Sequence, residues 1–175
     1  MAKVAYTKLK CTVNENKVPV QIGENTIAVK QYLPINEKLA LIGRVINQSH
    51  EEDHNYSNPV KVDVYTVMEI IFAYTDISFT EKQKEDIAKL YDQMASSGVI
   101  ANITKAIPTG ELEIISQGVK DSIEAVYKYQ NSVYGILDTL RTDYDNLDLN
   151  AQTIVDKIGA AENIDLVRDI MNKLG

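Results

Sequence analysis

Residues 112–147 constrain this chain more than any other stretch. Leu112, Val119, Val126, Val133, Leu140 and Leu147 stand seven apart. Ile115, Ser122, Tyr129, Ile136 and Asp143 follow the first five at a three-residue offset, so the stretch scans as heptads with a mixed second position. Ile123, Leu137 and Tyr144 broaden the stripe beyond a bare coiled-coil seam, as for a helix that faces a core. The pattern predicts one long helix over about 110–145. At 1.5 Å per residue the stretch would extend roughly 50 Å as a helix. A rod of that length outruns a small domain, so it serves either as the spine of a bundle or as a reach toward a partner.

The order of the other elements sets the fold class. Val18, Val20 and Ile22 alternate with polar or turn residues, Gly23, Glu24 and Asn25 intervene, and Ile27 and Val29 alternate again, which predicts a β-hairpin. A further strand from about Val4 to Val13 fits the spacing less well. Pro34 ends the extended part. Asn36 reads as an N-cap for a helix to about Gln48, with Leu39, Ile42, Val45 and Ile46 on one face.

Asn58-Pro59 offers a cap followed by proline at the first helical position. Val60, Val62 and Val64 alternate like a strand, yet the cap and the length of residues 60–74 favour a helix. Thr80 and Gln83 form a capping-box pattern for a helix through Ile87, Leu90, Tyr91 and Met94. Ser96-Ser97-Gly98 stops it, and a shorter helix over 99–107 ends at Pro108. Beyond the long helix, 150–158 and 164–174 read as two short helices. Strands first and helices afterwards argue an α+β protein, mostly helical: a hairpin segment over 1–34 attached to a helical body over 35–175.

Charge and composition narrow the partners. The net charge is −7, and residues 111–175 hold 6 basic against 12 acidic side chains, while the first 34 residues hold 5 against 2. An acidic helix and tail repel a phosphate backbone, so nucleic acid is not an expected partner. The most apolar piece, 67–74, is far shorter than a membrane span and carries Glu69, so no membrane partner is expected either. Cys11 is the sole cysteine, which fits a reducing cytoplasm. The Met-Ala-Lys start lacks the apolar run of a signal peptide and the glycine that myristoylation needs.

Candidate chemistry is sparse. His50-Glu51-Glu52-Asp53-His54 matches H-E-x-x-H, which as a zinc site requires both histidines on one face of a buried helix. Its flanks, Asn47-Gln48-Ser49 and Asn55-Tyr56-Ser57, provide no apolar face, so a solvated acidic loop is the preferred reading and no metal is expected. Asp143-Tyr144-Asp145 begins like a calcium loop, but Asp148 stands at the sixth position and Ile154 at the twelfth, where glycine and glutamate are required. No phosphate-binding glycine loop and no nucleophile elbow occur. The expectation is a non-enzymatic protein without a cofactor. Ten tyrosines against two phenylalanines suit contact surfaces. Tyr127, Tyr129 and Tyr134, with Val126 and Val133, are the candidate partner-binding residues. The plainer reading is that these tyrosines seal the rim of the chain's own core.

Four stretches carry a resemblance: 29–34 (VKQYLP), 55–64 (NYSNPVKVDV), 70–85 (IIFAYTDISFTEKQKE) and 127–138 (YKYQNSVYGILD). Together they resemble small acidic proteins encoded among the virion-assembly genes of tailed phages and prophages of Gram-positive bacteria. Within that setting the resemblance implies a tail assembly chaperone, and residues 27–42 are similar to the hairpin, Leu-Pro turn and helix with which such chaperones open. It implies other phage structural proteins as partners, or self-association through the long helix, in the host cytoplasm or the virion. A head–tail connector or minor tail protein is the next reading, and a phage-encoded inhibitor of a host protein a third. The resemblance supplies no catalytic residues.

Overall fold

Alternation of Val18, Val20 and Ile22 with polar neighbours builds strand β1 (Lys17–Ile22), which pairs antiparallel with β2 (Asn25–Lys30) in the register Val18↔Val29 and Val20↔Ile27. The two-residue loop between them turns on Gly23, whose φ of 58° is the left-handed value that hairpin loops need. The computed structural model describes residues 3–51 and 56–137. The chain divides into two units, 1–128 and 129–175. The architecture is α+β and mostly helical, with this hairpin preceding the helices.

Beyond β2, the hairpin is tied to the body by a backbone bridge and a side chain. Val29 bridges Thr75, and Asp76 Oδ1 accepts the outward N–H of Ala28 at 3.0 Å. Pro19 stands opposite Ala28, at a β1 position whose backbone faces away from β2, and its missing N–H blunts that free edge. The strand predicted over 4–13 does not form. That segment is irregular and exposed apart from one 3₁₀ turn, Tyr6–Leu9, because its apolar residues find no sheet edge to pair with.

Helix α1 (Ile35–Ser49) starts from Pro34 rather than from Asn36, with the Pro34 carbonyl accepting from the N–H groups of Glu37 and Lys38. Its buried face is Lys38, Leu41, Val45 and Ser49. Of the predicted face, Val45 is buried and Ile42 packs against the core, while Leu39 is exposed. After α1, β3 (His50–Glu51) pairs with β4 (Tyr56–Ser57). Asn58 then caps α2 (Pro59–Tyr74), its Oδ1 accepting from Val60 and Lys61, with Pro59 in the first turn. Residues 60–67 are therefore helical. The C-terminal half of α2 buries Met68, Glu69, Ile70, Ile71 and Tyr74, and the helix packs against α1, α4 and α5.

The Thr80–Gln83 capping box opens α3 (Glu81–Glu85), which stops after one turn. Asp86 breaks the predicted single helix, because its carboxylate accepts from Lys89 N–H and so caps a new helix, α4 (Ile87–Ser96). Gly98, with φ 74°, turns the chain into α5 (Val99–Ala106). Helix α6 (Thr109–Gln130) is the longest described. Ile115 and Val119 of the predicted stripe are buried, Leu112 and Ile123 pack against the core, and Glu111 joins that face, while Val126 lies exposed.

In the second unit, Ser132 takes the Tyr129 carbonyl through both its N–H and its Oγ–H, and its Oγ accepts from Gly135 N–H. The bonds make a turn at 131–132 and cap a short helical run over 133–137. A side chain at Gly135 would collide with the Tyr129 carbonyl. Leu140, Leu147, the aspartate run 143–148 and the helices predicted over 150–158 and 164–174 lie outside the described residues.

The first unit has one core, assembled from Val29 and Leu33 of the hairpin arm, Leu41 and Val45 of α1, the buried residues of α2, Leu90 and Met94, Ile103 and Ile107, and Ile115 and Val119. Gly118 lets α6 approach α1 closely: a Cβ there would stand 2.6 Å from Ile42 Cδ1. That atom is the movable end of a side chain, and alanine raises helix propensity by about 1 kcal/mol over glycine. Gly118→Ala should therefore change unfolding free energy by less than about 1 kcal/mol, whereas Gly118→Leu should lose about 1–3 kcal/mol by overpacking the seam. Urea titration of the two variants checks the contrast.

Candidate functional site

The most elaborate polar arrangement among the described residues is centred on Glu111. Pro108 ends α5's exit and its carbonyl accepts from the N–H groups of Glu111 and Leu112, which fixes the first turn of α6. A glutamate there is favoured by the helix dipole. The Glu111 carboxylate is 8% exposed and accepts three bonds: Lys38 Nζ at 2.7 Å, Leu33 N–H at 3.0 Å and Tyr74 O–H at 2.8 Å. Lys38 Nζ also sits 4.5 Å from the centre of the Tyr32 ring, a cation–π contact. One carboxylate thus joins the exit of β2, α1, α2 and α6.

Burial by itself would raise the Glu111 pKa. The Lys38 bond, the Leu33 N–H, the Tyr74 hydroxyl and the Lys38 charge together outweigh it and hold the carboxyl below its ordinary value. Burial, then the hydrogen bond and charge of Glu111, push the Tyr74 phenol far above its ordinary value. It therefore stays a donor. A buried carboxylate that accepts from three donors on three other parts of the chain acts as a brace.

Two further polar contacts repeat the design. Gln31 Nε2 donates to the Ala106 carbonyl at 2.8 Å and fastens the hairpin exit to the end of α5. Arg44 Nε donates to Glu69 Oε2 at 2.8 Å, linking α1 to α2 with Glu69 buried and Arg44 half in water. An open cleft of about 320 Å³ is lined by this pair with Gln48, Tyr65, Phe72 and Lys84.

His50 and Glu51 lie on extended backbone in β3, so the H-E-x-x-H string does not begin on the helix that a zinc site demands. His54 lies outside the described residues. Among the described residues no group of three or more His, Cys, Asp or Glu converges to hold an ion. No described helix is long and apolar enough to cross a membrane.

The candidate partner-binding residues do not seal the first unit's core. Val126 and Tyr127 are exposed on α6 in the first unit. Tyr129, Val133 and Tyr134 are exposed in the second, Val133 at 73% and Tyr134 at 81%. Helix α6 ends at Gln130 and a turn follows at 131–132, so the single helix predicted over about 110–145 is broken there. Glu111, Lys38 and Tyr74 were not singled out by sequence. Their signal was present: Glu111 stands four before Ile115, and Lys38 three before Leu41, each a charge in a buried stripe.

Comparison with protein-family models, curated proteins and solved structures finds no match to this chain.

Glu111→Gln leaves the Lys38 ammonium buried without its counter-charge and should cost about 3–5 kcal/mol. Tyr74→Phe removes one bond to the carboxylate and should cost about 2 kcal/mol. Because the folded Glu111 carboxyl titrates below its ordinary value of 4.5, its contribution is complete above that pH and is lost as pH falls through the folded value. The stability gap between wild type and Glu111→Gln should stay level at neutral pH and close in acid, which urea titrations across pH measure.

Proposed function

We propose that this protein acts without catalysis, by holding another protein during assembly of a phage tail, as a tail assembly chaperone in the host cytoplasm. One observation carries the contact part of this reading. Within the second unit, Tyr129, Val133, Tyr134, Ile136 and Leu137 are all exposed. Single exposed apolar residues are ordinary, but five within nine positions exceed what a lone soluble chain usually displays. Tyrosine is the residue type most favoured at contact sites, since it buries a large apolar ring and keeps a hydroxyl for bonding.

The assembly setting rests on the resemblance of residues 29–34, 55–64, 70–85 and 127–138 to virion-assembly proteins. The hairpin feeding through Leu33-Pro34 into α1 supports it, being the opening that such chaperones share. The buried ionisable groups support a non-catalytic reading, because Glu111, Lys38 and Tyr74 are spent on one another.

Co-expression with phage tail tube and tape-measure proteins tests the proposal. The expected result is a soluble complex with one of them, weakened about tenfold or more by Val133→Ser with Tyr134→Ser while the isolated variant melts as wild type does. Recovery of the protein as a stoichiometric part of purified particles would make it a virion component instead. Capture of a host protein in place of any tail protein would make it an inhibitor.

A further inference from the structure

The cleft beside the Arg44–Glu69 pair holds polar groups that the fold leaves unspent. Tyr65, Met68, Glu69 and Phe72 follow one another at three or four residues and so share one face of α2. Arg44 and Gln48, four apart, share a face of α1, and Lys84 of α3 with Ile87 of α4 completes the lining. The space they enclose, about 320 Å³, suits a small organic molecule.

Arg44 is set for an anion. Buried Glu69 accepts from its Nε at 2.8 Å, which fixes the plane of a half-exposed guanidinium. That contact takes the Nε–H and leaves the Nη donors. Among the described residues, neither the Nη groups of Arg44, the Gln48 amide nor the Tyr65 hydroxyl has a hydrogen-bond partner. The lining charges, Arg44 and Lys84 against Glu69, sum to +1 in a chain of net −7. Lys84 also meets Glu81 at 2.9 Å, an exposed pair of little worth that leaves its ammonium able to turn. The rest of the lining is apolar. Met68 is fully buried, and half-buried Phe72 is braced edge-on by Phe79, with 4.9 Å between ring centres.

We propose that this cleft binds an organic monocarboxylate that carries an aromatic or branched apolar group. The carboxylate takes the Arg44 Nη donors, with Lys84, Gln48 and Tyr65 as further donors in the same lining, and the apolar group lies against Met68, Phe72 and Ile87. A planar guanidinium fork pairs with the two oxygens of a carboxylate, and a single net positive charge matches a monoanion better than a doubly charged phosphate. A free small acid and the C-terminal carboxylate of a peptide present this same chemistry. The site does not depend on the tail-assembly reading and stands if that fails.

Titration of the full chain with N-acetylphenylalanine, followed by backbone amide chemical shifts, tests this. Saturable binding with a dissociation constant of about 1 mM or below is expected, with the largest shifts around Arg44, Gln48 and residues 65–72. The C-terminal amide of the same compound keeps the ring and loses the charge, and should bind about tenfold more weakly or worse. Arg44→Lys keeps a cation for Glu69 but loses the fork, and should weaken binding about tenfold. Tyr65→Phe and Gln48→Ala break no bond of the fold, so each should melt as wild type does while weakening binding about threefold. A short peptide ending in phenylalanine that binds more tightly than N-acetylphenylalanine makes a peptide C-terminus the source, and one that the cleft excludes makes it a free acid. Absence of saturation overturns the proposal, as does equal binding of acid and amide. So does binding that all three variants leave unmoved, or that inorganic phosphate displaces as readily as a competing carboxylate.

Discussion

The Glu111 carboxylate is the fixed point of the first unit. Taking an ionised side chain out of water costs several kcal/mol, and only complete hydrogen bonding with an opposite charge offsets that. Here Lys38 brings the charge, and the Leu33 N–H and the Tyr74 hydroxyl satisfy the remaining directions. The four groups come from three places far apart in sequence: the hairpin exit with the start of α1, the end of α2 and the start of α6. Apolar packing alone would tolerate sliding of these elements, since dispersion and burial are non-directional. A carboxylate with three donors tolerates little.

The same logic runs through the hairpin. A two-stranded sheet is marginal on its own in water. This one is held by Asp76 on the outward N–H of Ala28, by Gln31 on the Ala106 carbonyl and by Glu111 on Leu33. Each is a side chain bonded to a main-chain group, at the strand edge, at the end of α5 or at the hairpin exit, so backbone polarity is resolved where the sheet meets the helices. Val29 and Leu33, both fully buried, then contribute apolar contact on the same path.

Local chemistry was readable before any coordinates. Gly23 marked the hairpin loop, Asn58-Pro59 the start of α2, Thr80 with Gln83 the start of α3, and Gly98 the turn into α5, since each acts within a few residues of itself. Helix faces were readable from apolarity in part: Val45 in α1, Leu90 and Met94 in α4, and Ile115 and Val119 in α6 are buried as their spacing predicts. The charged members of those faces were not readable, because Lys38 on α1 becomes acceptable in the core only through Glu111, 73 residues away. Asp86 was scored as a helix-interior residue although aspartate is a better cap. The H-E-x-x-H string shows the opposite failure, a complete motif on backbone of the wrong kind at His50 and Glu51.

Outside the core, Tyr129, Val133, Tyr134, Ile136 and Leu137 are exposed in the second unit. The account depends on the body being braced by Glu111. Amide hydrogen exchange at Leu33 measures that most directly, because this N–H lies between strand and helix and its bond is to the Glu111 side chain. The account predicts that Leu33 exchanges only with global unfolding, alongside the slowest amides of α2. Exchange of Leu33 at the rate of the exposed residues 3–13 would contradict it.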